Sequence, residues 1–94
     1  MIFSKEYSKL LNDKFTTIRK RSTIYWPGSI VKITTPNQKF KATVISRTMI
    51  KKSYITEELA MSDADCSCNE LIAMLNNWYG EEFDDFILLK LQKI

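Results

Sequence analysis

The segment SIVKITTPNQKFKATV, residues 29–44, decides the fold of this chain. Its first part has apolar residues at three of the four positions Ile30–Ile33, a pattern typical of a mostly buried strand. After a turn at Thr35–Gln38, apolar residues alternate with lysine and threonine in a β-rich run that extends to Tyr54. Strand, turn and alternating strand together predict a β-hairpin.

The residues before the hairpin predict one helix and one further strand. Ser4 is a suitable N-cap for a helix that ends near Asn12, because the apolar residues recur with a period of about 3.6, at Phe3, Tyr7, Leu10 and Leu11. The segment TTIR, residues 16–19, has strand-forming residue types. A loop through Pro27 and Gly28 then leads into the hairpin.

Helical periodicity dominates the residues after the hairpin. Thr56 precedes a short helix, and Ser67 with Glu70 forms a capping box for a helix over 68–79. The buried face of that helix is predicted to consist of Leu71, Met74, Leu75 and Trp78. Gly80 ends the helix in a left-handed conformation, and FILLKLQ, residues 86–92, is the final strand.

The order α-β-β-β-α-α-β predicts a single α+β domain over residues 1–94. An antiparallel sheet of this size is expected to curve strongly, and we predict that it closes as a small β-barrel with helices packed on one side. No apolar run reaches the roughly 18 residues of a membrane span, so we expect a soluble, cytoplasmic protein that does not interact with membranes.

Composition excludes several kinds of chemistry. The 94 residues include no histidine, which removes Ser-His and Cys-His nucleophile pairs. Cys66 and Cys68 are too close in sequence for a disulfide between them to stabilise the fold, and two cysteines are too few for a four-thiolate zinc site. We therefore expect reduced thiols. Asp63 and Asp65 lie beside them, but so compressed a mixed cluster is a poor metal site, and we expect no metal or cofactor.

The two halves of the chain carry opposite charge. Residues 1–54 have 12 Lys and Arg against 2 Asp and Glu, whereas residues 55–94 have 2 against 9. If the basic residues share one surface, they form a cationic patch suited to a phosphate backbone, and we predict such a patch around residues 19–21 and part of 39–52. If the halves neutralise each other in space, no such patch exists. A separate alternative is a protein-interaction module whose acidic second half meets a basic partner.

The segment KFTTIRKR, residues 14–21, is the strongest candidate site. A short strand here runs into a cationic loop that is followed by two aromatic residues, a combination that suits phosphate contacts and base stacking. The candidate nucleic-acid-binding residues are Lys14, Thr17, Arg19, Lys20, Arg21, Tyr25 and Trp26. The alternative is a solvated run of charge, with Lys14 at a helix C-terminus and Trp26 covering one end of the sheet.

The order and spacing of several motifs resemble the ASCH family of the PUA-like superfamily over nearly the whole chain. The matching residues are Lys14, Thr17, Ile18, Arg19, Gly28, Asn69-Glu70-Leu71 and Tyr79-Gly80. The resemblance implies a β-barrel related to RNA-binding domains, with a cleft between barrel and helices. It therefore implies RNA or a nucleoside-type ligand as the partner.

One branch of that family resembles an amidohydrolase of N4-acetylcytidine that uses a Lys, a Thr and a Glu. By resemblance, Lys14 is the base and Thr17 the nucleophile, while the position of the Glu is taken by Asp63 or Asp65. An Asp is one methylene shorter, and the glycine that precedes the Lys in the family is absent, so the match to the catalytic pattern is incomplete. Binding of RNA or a nucleoside is accordingly the first hypothesis, the hydrolase the second and a protein-interaction module the third.

Overall fold

The computed structural model describes residues 1–94 and contains four strands, two α-helices and two short 3-10 helices. The strands are β1 (Lys14–Lys20), β2 (Ile30–Thr34), β3 (Lys39–Ile50) and β4 (Phe86–Lys93). The α-helices are α1 (Glu57–Ala64) and α2 (Cys68–Tyr79), and the 3-10 helices are Ser8–Leu11 and Lys52–Tyr54. The sheet is antiparallel throughout, with the order β1-β4-β3-β2, which confirms the predicted α+β class.

The predicted hairpin forms between β2 and β3. Ile33 lies opposite Phe40 and Val31 opposite Ala42, and their side chains lie on the sheet face that holds the core. Ile30 was expected to be buried but is 64% exposed. Because side chains alternate along a strand, Ile30 shares the outer face with Lys32.

The two faces of the sheet pack against different partners. On the inner face, the ring of Phe15 makes edge-to-face contacts with Phe3 and Phe40. On the outer face, Thr16 of β1 donates a hydrogen bond to Asp63 of α1, and Phe86 of β4 contacts the ring of Tyr79 of α2. Both helices therefore cover one end of the outer face.

Helix starts follow the predicted capping residues. Thr56 accepts a hydrogen bond from the Leu59 amide, and Ser67 and Glu70 make both bonds of a capping box. At the end of α2, Gly80 has φ 92° and ψ 150°, a positive-φ conformation that favours glycine but differs from the left-handed helical one. None of the helices is long and apolar enough to cross a membrane.

The first helix is shorter than predicted. Residues 1–3 are extended beside β2, since Phe3 N donates to the carbonyl of Thr34 and Thr34 N donates to that of Met1. The chain becomes helical only for the single turn Ser8–Leu11. Leu11, expected on the buried face, is 80% exposed. Pairing of the N-terminal residues with the sheet edge thus overrides the helical periodicity.

The sheet is not closed by strand pairing, because β1 and β2 are its two edges and do not pair with each other. Residues 1–3 lie between them: they pair with β2, and the carbonyl of Ile2 accepts a hydrogen bond from Arg19 of β1. A strand-closed barrel is therefore not formed, although one segment contacts both edges.

Candidate functional site

A pocket of about 230 Å³ lies where the N-terminal segment, β1 and the two α-helices meet. Apart from the aromatic hydroxyls, its polar lining consists of Ser4, Lys9, Thr17, Arg19 and Asp63. Aromatic side chains of Tyr7, Trp78 and Tyr79 also line it. The pocket therefore combines apolar walls with a few polar groups, as small-molecule sites do.

A buried ion pair forms one part of the pocket wall. Lys9 Nζ lies 3.3 Å from Asp63 Oδ1, and the two side chains are only 5% and 7% exposed. Lys9 also donates to the carbonyl of Thr16 at 2.6 Å, and the Thr16 hydroxyl donates to Asp63 at 3.0 Å. Burial lowers the pKa of Lys9 and raises the pKa of Asp63, and the attraction within the pair opposes both shifts.

Arg19 is the second cation of the pocket, and it has no carboxylate partner. Its Nε donates to Thr17 Oγ1 at 3.2 Å, one Nη donates to the carbonyl of Ile2 at 3.1 Å, and its guanidinium lies over the ring of Phe3. The ion pairs of the chain are Lys9–Asp63 and Arg21–Asp85. Burial lowers the pKa of Arg19, which reflects the cost of holding this charge away from water.

Trp78 was predicted to be a core residue, and this prediction is wrong. It lies on the last turn of α2, is 53% exposed and lines the pocket. Leu71 and Leu75, on the same helix face, are buried as expected. In the last turn of α2 the ring that packs against the sheet is Tyr79, which contacts Phe86, and Trp78 is left exposed beside it.

The proposed catalytic residues occupy three different places. Thr17 lies in the pocket, 3% exposed, and Asp63 is part of the buried ion pair. Lys14 is exposed at the start of β1 and does not line the pocket. Asp65 lies just after α1, where its carboxylate accepts hydrogen bonds from the backbone amide and hydroxyl of Ser8. Neither Asp63 nor Asp65 bonds to Lys14; the lysine beside Asp63 is Lys9.

The proposed RNA-contacting residues are also dispersed. Lys20 lies over the ring of Phe83, and Arg21 is 3.6 Å from Asp85. Trp26 is 55% exposed in the loop before β2, and the guanidinium of Arg47 lies 4.3 Å from its ring centroid. Tyr25, in the same loop, has a positive φ of 66°. Of the predicted set, only Thr17 and Arg19 belong to the pocket.

Several basic residues of the predicted cationic patch are engaged within the chain. Arg47 donates to the carbonyls of Ser22 and Ile24, and Lys52 donates to those of Gly80 and Glu81. Among residues 19–21, only Arg21 contacts a carboxylate. Only two ion pairs, Lys9–Asp63 and Arg21–Asp85, join the two halves of the chain, so most basic residues of the first half have no carboxylate partner.

The cysteines do not form a disulfide. Cys68 Sγ donates to the carbonyl of Ile55, and burial raises the pKa of the Cys66 thiol. A raised pKa makes the reactive thiolate scarcer, so Cys66 is a poor nucleophile. No three His, Cys, Asp or Glu side chains come together as potential metal ligands.

Sequence reasoning missed Lys9 and the role of Trp78. Lys9 follows Ser8 and precedes Leu10 in a segment whose periodicity predicts a solvated lysine, and its partner Asp63 is 54 positions away. No local signal marks it. For Trp78 too, no local signal separates it from the buried positions Leu71 and Leu75 of the same helix face.

Comparisons of the chain with protein-family models, curated proteins and solved structures found no match. The pocket offers a guanidinium without a counter-ion, a lysine–aspartate pair, a buried threonine hydroxyl and the exposed ring of Trp78.

Proposed function

We propose that the pocket binds a nucleoside or one nucleotide of an RNA strand. The observation that supports this most directly is Arg19, a half-buried guanidinium that lines the pocket and has no carboxylate partner. Burying a charge without a partner is costly, so a ligand that supplies acceptor oxygens lowers the free energy of the site.

Arg19 has donors left for such a ligand. A guanidinium carries five N–H donors in a fixed fork, and Arg19 uses two of them, to Thr17 and Ile2. The remaining donors are suited to a phosphate or to the acceptor edge of a base.

Trp78 supplies a partner for the flat face of a base. Its ring is exposed at the pocket, and aromatic side chains stack unstacked bases in single-stranded RNA recognition. The volume of about 230 Å³ is below the roughly 300–1,000 Å³ of drug-sized ligand sites. It therefore favours one base or nucleoside over a larger molecule.

We further propose that the chain is an ASCH-type domain whose curved sheet corresponds to a PUA-like barrel. Support comes from residues 1–3, which pair with the edge strand β2 and accept a hydrogen bond from β1, so that one segment contacts both sheet edges. The positions of Thr17 and Arg19 in the pocket agree with a cleft lined by the KxxTIR segment.

The test is binding of cytidine, cytidine monophosphate and a short single-stranded RNA, measured by calorimetry. We expect Trp78→Leu to weaken binding by about 5- to 150-fold, the equivalent of one lost base stack, with little change in stability because the ring is half exposed. Trp26→Leu is the matched control, since this tryptophan is equally exposed but outside the pocket. Equal effects of the two substitutions would contradict the proposal.

A second candidate, an amidohydrolase of N4-acylated cytidine, is favoured by the pairing of Lys9 with Asp63 in the pocket that Thr17 lines. Burial lowers the pKa of Lys9, which increases its neutral fraction. Neutral Lys9 would accept the Thr17 proton as the hydroxyl oxygen attacks the acyl carbonyl. It would then donate that proton to the amine as the C–N bond breaks, and water would hydrolyse the resulting ester.

Incubation with N4-acetylcytidine separates the two candidates. In the hydrolase, Thr17→Val and Lys9→Met each abolish release of acetate, Thr17→Ser retains part of it, and Lys14→Ala has no effect because Lys14 is outside the pocket. Binding without acetate release leaves the pocket as a binding site only. If neither is observed, the interaction-module hypothesis remains.

A further inference from the structure

Beyond the part covered by the helices, the outer face of the sheet carries five exposed lysines. We call this surface the lysine face; it consists of Lys14, Lys32, Lys39, Lys41 and Lys90. Strand register and alternation bring them to one face: Lys32 is directly opposite Lys41, and Gln92, opposite Lys14, is two positions from Lys90.

No carboxylate neutralises this surface. Neither of the two ion pairs of the chain involves a lysine of the lysine face. The strand residues between the lysines are neutral: Thr43 and Gln92 face each other across β3 and β4, and Ile30 lies opposite Thr43. The lysine face is therefore a continuous strip of positive charge with hydrogen-bonding side chains in it.

The arrangement is unfavourable for the fold alone. Like charges directly opposite each other in an antiparallel pair are destabilising, and Lys32 and Lys41 are such a pair. With Lys39 they also line a groove of about 210 Å³ on the hairpin. A polyanion seated there would relieve the repulsion between the two ammonium groups.

We propose that the lysine face binds the phosphate backbone of an RNA strand, an inference that rests on RNA as the ligand class of the proposed function. Charge complementarity selects a polyanion. An anionic membrane surface is disfavoured because interfacial binding requires an apolar face that inserts, and the lysine face offers only two exposed apolar side chains, Ile30 and Ile94. Successive lysines on one face of β3 are about 7 Å apart, so several phosphates can be contacted at once.

The test is the salt dependence of binding of a fluorescein-labelled single-stranded RNA, measured by anisotropy. Each lost phosphate contact on a single strand reduces the slope of log K against log salt by about 0.7. We expect this reduction in Lys41→Gln and about twice as much in the double variant Lys32→Gln/Lys41→Gln. Lys51→Gln is the matched control, an exposed lysine outside the face, and should leave the slope unchanged.

Stability provides a second readout of opposite sign. Lys41→Gln removes a like-charge contact, so its Tm should rise slightly while its RNA affinity falls. A variant that lost RNA binding because it unfolded would instead have a lower Tm. An unchanged slope, or the same change in Lys51→Gln, would overturn the proposal. If Lys41→Gln lost binding to phosphatidylserine vesicles but kept its binding to RNA, the proposal would be overturned as well.

The pocket and the lysine face are tested separately by using cytidine monophosphate as the probe. Lys41→Gln should leave its binding unchanged, and Trp78→Leu should leave the salt slope of RNA binding unchanged. If the mononucleotide does not bind but RNA still binds with a lysine-dependent slope, the pocket proposal fails and the lysine face stands. If the mononucleotide binds and substitution of Lys32 and Lys41 does not change the salt slope of RNA binding, the lysine-face proposal fails and the pocket proposal stands.

Discussion

At the residue scale, the Lys9–Asp63 pair is the most consequential feature. Both side chains are almost fully buried, and each offsets the cost of removing the other from water. Removing one partner leaves an uncompensated charge in the interior, which is far worse than never having buried the pair. The contribution of each partner to the free energy of unfolding therefore depends on pH.

We predict that Lys9→Met destabilises the protein by about 3–5 kcal/mol near pH 7. In this variant Asp63 loses the cation that lowers its pKa, while burial still raises that pKa above 3.8. A raised carboxyl pKa favours folding at low pH, and this contribution is lost as the pH rises through the folded-state value. The deficit should thus be smaller near pH 4, as measured by urea unfolding at both pH values.

Lys5→Met is the control for this measurement, because Lys5 is exposed. Adding Asp63→Asn to Lys9→Met should restore part of the stability near pH 7, since the amide needs no counter-ion. A deficit that is the same at both pH values would show that lost packing, and not the buried charge, is responsible.

Site residues were only partly predictable from sequence. Thr17 and Arg19 were predicted from the cationic segment at residues 14–21 and from the resemblance to the ASCH family, and both line the pocket. The lysine at the ion pair is Lys9 and not Lys14, and it was missed because burial of a lysine depends on a partner far away in sequence. Trp78 was misassigned because helix periodicity gives the direction of a side chain but not where the packing neighbours end.

At the scale of elements, the strands and α-helices were predictable because their signals are local. The alternation of apolar and polar residues predicted β3, and the capping box of Ser67 and Glu70 predicted the start of α2. The first helix was overestimated because its apolar period was the only signal, and hydrogen bonds of residues 1–3 to β2 prevail over it. Edge pairing is a long-range interaction that no window of sequence contains.

The link between α1 and the first 3-10 helix should be sensitive to acid. Asp65, in a left-handed conformation at the end of α1, accepts bonds from the amide and hydroxyl of Ser8, and these bonds lower its pKa below 3.8. A lowered carboxyl pKa contributes stability above the unfolded-state value, and this contribution is lost as the pH falls through the folded-state value. Asp65→Asn should therefore cost stability near pH 6 but little near pH 3.

Asparagine tolerates the left-handed conformation, so the substitution removes charge without straining the backbone. Urea unfolding near pH 6 and pH 3 measures the difference. Asp13→Asn is the control, because Asp13 is exposed and its side chain makes no hydrogen bond. An equal cost of Asp65→Asn at both pH values would contradict the role of its charge.

At the scale of the whole molecule, residues 1–3 tie the two edges of the open sheet to each other. Phe3 is 5% exposed, and its ring lies against Tyr7 and Phe15 and beneath Arg19. Whether a curved sheet closes by strand pairing or through a third segment depends on strand lengths and edge contacts. The sequence therefore predicted the strands and the two α-helices but not this manner of bringing the edges together.

We predict that Phe3→Ala costs about 3–5 kcal/mol, as for a buried phenylalanine, and that the loss is uneven. Amides that join residues 1–3 to β2, those of Phe3 and Thr34, should lose hydrogen-exchange protection first. Amides of the central β3–β4 pair should remain protected longest. Leu11→Ala, at an exposed leucine, is the control, and uniform loss of protection would show that the edges are not a separate unit.

The position of β4 in the centre of the sheet has a consequence for biosynthesis. The partner of β1 is β4, and about 65 residues separate the two strands along the chain. At roughly 5–20 residues per second, a ribosome needs several seconds to make that stretch. Throughout this interval β1 and the β2–β3 hairpin have no central strand to join them. We therefore expect the nascent chain to expose the apolar residues of β1 and β3 until β4 is made, which favours aggregation during this interval.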